Sequence, residues 1–158
     1  MISELCAELR NYFLRDYVNP EHYIHYGSFV IANGEMQSLP FLKIGQFYRI
    51  VGSTFNDGVH KYGATPRSME DYETLTDEEF EGAIWEMFVP PNVVALSDEI
   101  DAWITANATA INSPYQSESF GGYSYSLKGG DDTDENIAGT WQSQFASRLK
   151  PYRRISVL

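Results

Sequence analysis

Apolar and polar positions change their period along the chain, and the changes mark its elements. Ser3 to Arg15 repeats with a helical period: Leu5, Leu9, Tyr12 and Phe13 share one face, and Glu4, Glu8, Arg10 and Arg15 lie elsewhere. Ser3 is a suitable N-cap, and Asn19-Pro20 closes the segment. From His22 to Phe88 the period shortens to that of strands. Tyr23–Ile31, Phe41–Val51, Val59–Tyr62 and Phe80–Phe88 are aromatic and β-branched runs. Asn33-Gly34 suits a tight hairpin because both residues tolerate positive φ, Gly45 suits a bend, and Asn56-Asp57-Gly58 is a second turn. These runs predict a small antiparallel sheet or barrel.

Pro90-Pro91 restarts a helical period, with Val93, Leu96, Ile100, Trp103 and Ile104 on one stripe to about Asn107. A third stripe, Ile137, Trp141, Phe145 and Leu149, ends before Pro151. The predicted fold class is α+β in one domain, 1–158. It comprises a small bundle of three helices (3–15, 91–107, 136–150), an inserted antiparallel β module (22–88) and a long C-terminal extended segment. Residues 113–136 form that extended, glycine-framed strand and loop, and 151–158 a short tail.

Within the extended segment, Tyr123, Tyr125 and Leu127 alternate with Gly122, Ser124 and Ser126, and glycine pairs bracket them at Gly121-Gly122 and Gly129-Gly130. A strand too short for its own sheet is a candidate for pairing with another chain.

Charge sharpens this picture. The net charge of −11 is unevenly spread: Ser68 to Leu127 holds twelve acids and no Lys or Arg. Four of the eleven bases, Arg148, Lys150, Arg153 and Arg154, fall in the last eleven positions. An acidic middle argues against wrapping DNA, since affinity for phosphates comes from Lys and Arg. It is compatible with a surface that DNA passes without sticking, and equally with a solvated acidic face that maintains solubility. No run of apolar residues is long enough for a membrane span, and the acidic N-terminus lacks signal-peptide character. The single cysteine, Cys6, reads as a small buried residue of a chain made in a reducing cytoplasm.

The chain carries no recognisable catalytic, metal-ligating or phosphate-binding pattern. His22 and His25 fall on opposite faces of a strand, and His60 stands near no nucleophile pattern. Asp131, Asp132, Asp134 and Glu135 lack the order of an EF-hand loop, and the glycine pairs match no phosphate loop. Glu78-Glu79 is too common a pairing in so acidic a chain to nominate a glycosidase. The expectation is a protein that is not an enzyme, with no metal and no cofactor.

Two stretches carry a resemblance: Ser117-Glu118-Ser119-Phe120-Gly121-Gly122-Tyr123-Ser124-Tyr125-Ser126, and Leu149-Lys150-Pro151-Tyr152-Arg153-Arg154-Ile155. Together with the proline-started helix at Pro91, they resemble the C-terminal half of the head–tail connector (adaptor) proteins of long-tailed double-stranded DNA phages and prophages. The likeness covers roughly residues 90 to 155, and the β module departs from that mostly helical family. It implies a ring of about a dozen copies in the virion neck, between the portal protein and the next neck or tail-completion protein. DNA passes through without specific binding, and no membrane is involved. In that setting Asp98, Glu99 and Asp101 would face the channel. Phe120, Gly121, Gly122, Tyr123, Ser124, Tyr125, Ser126 and Leu127 would form an inter-subunit strand. Tyr152, Arg153, Arg154, Ile155, Val157 and Leu158 would dock on the portal or a neighbour. Two rival expectations are an acidic DNA-mimic inhibitor and a small carbohydrate-binding or hydrolase module using Tyr23, Tyr26 and Trp85 as a platform.

Overall fold

The structure is a computed structural model that describes residues 1–63, 74–108 and 139–155. It is mostly a curled five-stranded antiparallel sheet with short helices, so the expectation of a three-helix bundle carrying an inserted β module is corrected. The chain divides into two compact units: Asn11–Pro91 with Ile2, and Met1 with Ser3–Arg10 and the described residues from Asn92 onward.

In the sheet unit the strands are β1 (Ile24–Ala32), β2 (Glu35–Met36), β3 (Phe47–Val51), β4 (Gly58–Lys61) and β5 (Glu78–Glu86), in the spatial order β2-β1-β5-β3-β4. β1 and β2 are joined by the Asn33-Gly34 hairpin, with φ of 56° and 77°. Asp77 Oδ1 accepts from the Gly34 N–H, and Gly34 O accepts from Leu75 N, so the hairpin is tied to the approach of β5. One sheet face forms the core. Phe29 and Ile31 of β1, Tyr48 and Ile50 of β3 and Phe80 and Ile84 of β5 pack with Leu39 and Leu42. This is the alternation expected of a sheet with one buried face.

The predicted run Phe41–Val51 becomes a strand only from Phe47. Before it, the chain folds under the sheet so that Leu39 and Leu42 join the core, and the Tyr62 hydroxyl accepts from Leu39 N at 2.9 Å. Burial of two leucines outweighs two further rungs of ladder.

Glycine sets the curl. Gly82 of β5 lies opposite Gly27 of β1, and a Cβ at Gly82 would stand 2.1 Å from the Val51 carbonyl oxygen. A Cβ at Gly52, whose φ is 97°, would come within 3.0 Å of Gly82 Cα. The backbones of β5 and the end of β3 meet where no side chain intervenes.

In the second unit α1 (Ile2–Leu9) buries Leu5, Cys6 and Leu9. Its N-cap is Met1 rather than Ser3, and it ends at Leu9, with Arg10 as a left-handed C-cap, six residues short of the sequence expectation. The reason is local competition for hydrogen bonds. Asn11 Oδ1 accepts from Phe13 N and from the Tyr17 hydroxyl, and that hydroxyl accepts from Tyr12 N and Leu14 N. Tyr12 and Phe13 therefore serve the sheet unit. The Tyr12 ring lies under the Arg49 guanidinium at 3.8 Å, and Phe13 O accepts from Phe88 N.

α2 (Pro91–Ala106) buries Val93, Leu96, Ser97 and Ile100. The expected helix 136–150 is described from Trp141 as two four-residue helices, α3 (Trp141–Gln144) and α4 (Ala146–Leu149), separated by Phe145. The Thr140 hydroxyl caps α3 by accepting from Ser143 N. Phe145 and Leu149 are buried, and the Trp103 ring meets Phe145 edge-on at 6.2 Å. Ile137 lies outside the described residues.

Candidate functional site

The C-terminal motif builds a latch within its own unit. Pro151 forces a 3-10 turn over Lys150–Tyr152, and the chain leaves it extended at Arg153. Arg154 N then donates to Leu9 O at 2.9 Å, satisfying a carbonyl that the end of α1 would otherwise leave orphaned. The Arg153 guanidinium binds Glu8 Oε1 at 2.7 Å, placing a cation at the C-terminal end of α1, where the helix dipole favours it. Of the expected docking residues, Arg153 and the Arg154 backbone are thus engaged internally. Tyr152 is half-buried, Ile155 is 83% exposed, and Val157 and Leu158 lie outside the described residues.

The expected channel acids occupy α2 without forming a single face. At about 100° per residue, Asp101 and Glu99 project from opposite flanks of the buried stripe and Asp98 from its back. All three are exposed. Glu99 receives a two-pronged contact from Arg148, at 2.5 and 3.0 Å. The Arg148 hydrogen bond holds the Glu99 carboxyl below its ordinary pKa, and the same bond raises Arg148. Asp101 stands 3.9 Å from the N-terminal ammonium. Glu99 thus carries Arg148 as its counter-charge and Asp101 faces the N-terminal ammonium, so two of the three expected channel acids have a cationic partner. The inter-subunit strand Phe120–Leu127 and the acidic loop at Asp131–Glu135 lie outside the described residues.

Among the described residues the most densely bonded carboxylate is Glu78, which the sequence does not single out. Glu78 opens β5 and holds the loop between β3 and β4. It accepts from the Ser53 hydroxyl, from Thr54 N at 2.9 Å, from Phe55 N at 3.2 Å and from the Asn56 amide at 2.7 Å. Burial pushes its pKa up, and these four donors outweigh that, so the net shift is downward. Asn56 is itself buried and exchanges hydrogen bonds with the Thr76 backbone. At the tip of this clamped loop Phe55 is 66% exposed. The signal was Ser53-Thr54-Phe55-Asn56, a turn with more donors than it can satisfy alone.

The aromatic platform does not assemble. One face of Trp85 is covered by Arg49, whose guanidinium lies 4.4 Å from the ring centroid, and Tyr12 meets it edge-on. Tyr23 packs edge-on against Phe88. Tyr26 is 78% exposed on β1. His25 stacks on Phe41 at 3.7 Å with Nε2 3.4 Å from Glu86, and His60 Nε2 lies 2.6 Å from Asn56 O. Among the described residues, no group of three or more His, Cys, Asp or Glu is placed to hold a metal ion, and no helix is long and apolar enough to cross a membrane. Comparison with protein-family models, with curated proteins and with solved structures found no match for this chain.

Proposed function

We propose that this chain is a structural subunit of a phage neck, assembled in the bacterial cytoplasm and retained in the virion. It forms a ring between the portal and the next neck or tail-completion protein, and DNA passes through the ring. The observation that carries the reading is the C-terminal motif Leu149-Lys150-Pro151-Tyr152-Arg153-Arg154-Ile155, whose resemblance to connector proteins is accompanied by a definite geometry. Leu149 is buried as an anchor, and the turn at Pro151 leads to a latched Arg153 and Arg154. The latch leaves Ile155 exposed beside it. An apolar chain end on a fixed base suits docking to a partner, because little conformational freedom remains to be lost at the base.

The exposed acids Asp98 and Asp101 support a surface along which DNA slides, since carboxylates repel phosphates. Native mass spectrometry of the purified chain mixed with the portal protein of the same genome tests this. The expected result is a complex holding several copies per portal ring. Absence of any complex, with both proteins folded, overturns the reading.

A further inference from the structure

Among the described residues the sheet leaves a long edge of β1 open, and the hydrogen bonding of β1 shows which peptide groups face it. Val30 O accepts from Gln37 N at 3.0 Å, and Val30 N donates to Gln37 Oε1 at 2.7 Å, on the side away from β5. Peptide groups alternate sides along a strand, so Ile24, Tyr26 and Ser28 direct their N–H and C=O groups the same way. β2 covers only Ile31 and Ala32. Among the described residues no strand lies beside Ile24–Ser28. Tyr26 stands on this edge with its side chain exposed, and neither Pro nor Lys guards it.

We propose that this edge of β1 receives the segment Phe120–Leu127 of a second copy as an added strand. The inference rests on the neck reading in one respect: a ring needs two different surfaces on each subunit, because like-to-like pairing closes a dimer. The edge of β1 supplies the accepting surface and Phe120–Leu127 the other. The segment alternates Tyr123, Tyr125 and Leu127 with small residues, as added strands do. Eleven residues precede it after Ala108 and eleven follow it before Gly139, and each tether reaches about 35 Å when extended.

Charge fits as well. On the outward face of β5, Glu79 and Glu81 sit opposite Val30 and Ser28 and are exposed. Lys128, which directly follows the segment, is the one base between Arg67 and Arg148. Main-chain pairing supplies affinity without particular side chains, so Tyr26 and the neighbouring acids set which strand is accepted.

Cysteine pairs test the contact in the full chain. Copies carrying Tyr26→Cys or Ser28→Cys are mixed with isotopically heavy copies carrying Ser124→Cys or Ser126→Cys, concentrated and oxidised. Cys6 is buried and does not compete. Disulfides joining heavy to light copies in at least one of the four combinations are expected, since adjacent strands bring Cα atoms within disulfide range. Four silent combinations overturn the proposal. So does a chain carrying both cysteines that links only within itself, and so does a Tyr26→Cys chain that dimerises only with itself. In a second measurement, Ser28→Pro removes one outward N–H and should lower subunit association at least tenfold by native mass spectrometry, with an unchanged circular dichroism spectrum. Unaltered association counts against the edge. Portal binding that persists without strand linkage rejects this inference alone, whereas strand linkage without portal binding rejects the neck reading alone.

Discussion

Gly82→Ala tests the account of the curled sheet most sharply. The added methyl carbon would lie 2.1 Å from Val51 O and 3.1 Å from Val51 C, with Gly52 Cα at 3.2 Å. The first distance is about 1 Å inside the closest tolerable approach, and all three atoms are backbone, which cannot rotate away. Relief requires β3 and β5 to separate where Val51 pairs with Ala83. Overpacking of this kind costs about 1–3 kcal/mol, and backbone contacts belong at the upper end. The smaller entropy of an unfolded alanine offsets about 0.4–1 kcal/mol of that. The net expectation is a loss of about 2 kcal/mol, which for a chain of this length lowers Tm by about 4–8 °C.

Gly27→Ala is the matched control. Gly27 faces Gly82 across the ladder, but a Cβ there meets only Phe29 Cζ at 4.0 Å. It should leave Tm unchanged or raise it slightly. Thermal unfolding followed by circular dichroism reads both variants. A Gly82→Ala melt within 2 °C of the parent, or equal damage from Gly27→Ala, would refute the claim that close backbone approach at Gly82 shapes the sheet.

Glu78→Gln keeps the shape of the clamp and removes its charge, so the loop around Phe55 should exchange its amide protons faster at neutral pH. The Glu78 pKa is held below its ordinary 4.5 in the folded state, so its contribution to stability is present above 4.5 and is lost as pH falls through the lower folded value. The parent should therefore lose stability on acidification more steeply than Glu78→Gln, and parallel pH profiles would contradict the clamp. Arg49→Leu removes the cation between Tyr12 and Trp85 and should cost about 1 kcal/mol with a shift in tryptophan emission. An unchanged urea midpoint would argue against that stack. Ending the chain after Arg154 keeps the Glu8 and Leu9 contacts and removes the apolar end, so portal binding should fall while Tm holds. Ending it after Leu149 removes the latch too and should lower both. Equal behaviour of the two truncations would reject the separation of latch from docking end.

The strands were largely legible because their signals are local. Asn33-Gly34 needs two positive φ angles, and alternation exposed the core face of β1, β3 and β5. The helices are shorter than their apolar stripes because a stripe does not report what ends it. Tyr12 and Phe13 continue the α1 stripe in sequence, yet Asn11 and Tyr17 capture the backbone first. For a related reason 22–88 reads as an insert when the helices are assumed to hold the core, whereas more than half of the buried apolar side chains among the described residues lie within it. At the candidate site, sequence placed Arg153 and Arg154 together but could not show that Glu8 and Leu9, far away in the chain, receive them. Asp98, Glu99 and Asp101 are neighbours in sequence, and the helical turn divides them.

Electron microscopy of the chain assembled with a portal decides whether the proposed neck ring forms. The expected image is a ring of this protein coaxial with the portal, the residues after Arg154 buried against it, and an open channel through the centre. A portal with no added density, or density bound off the axis, would contradict it.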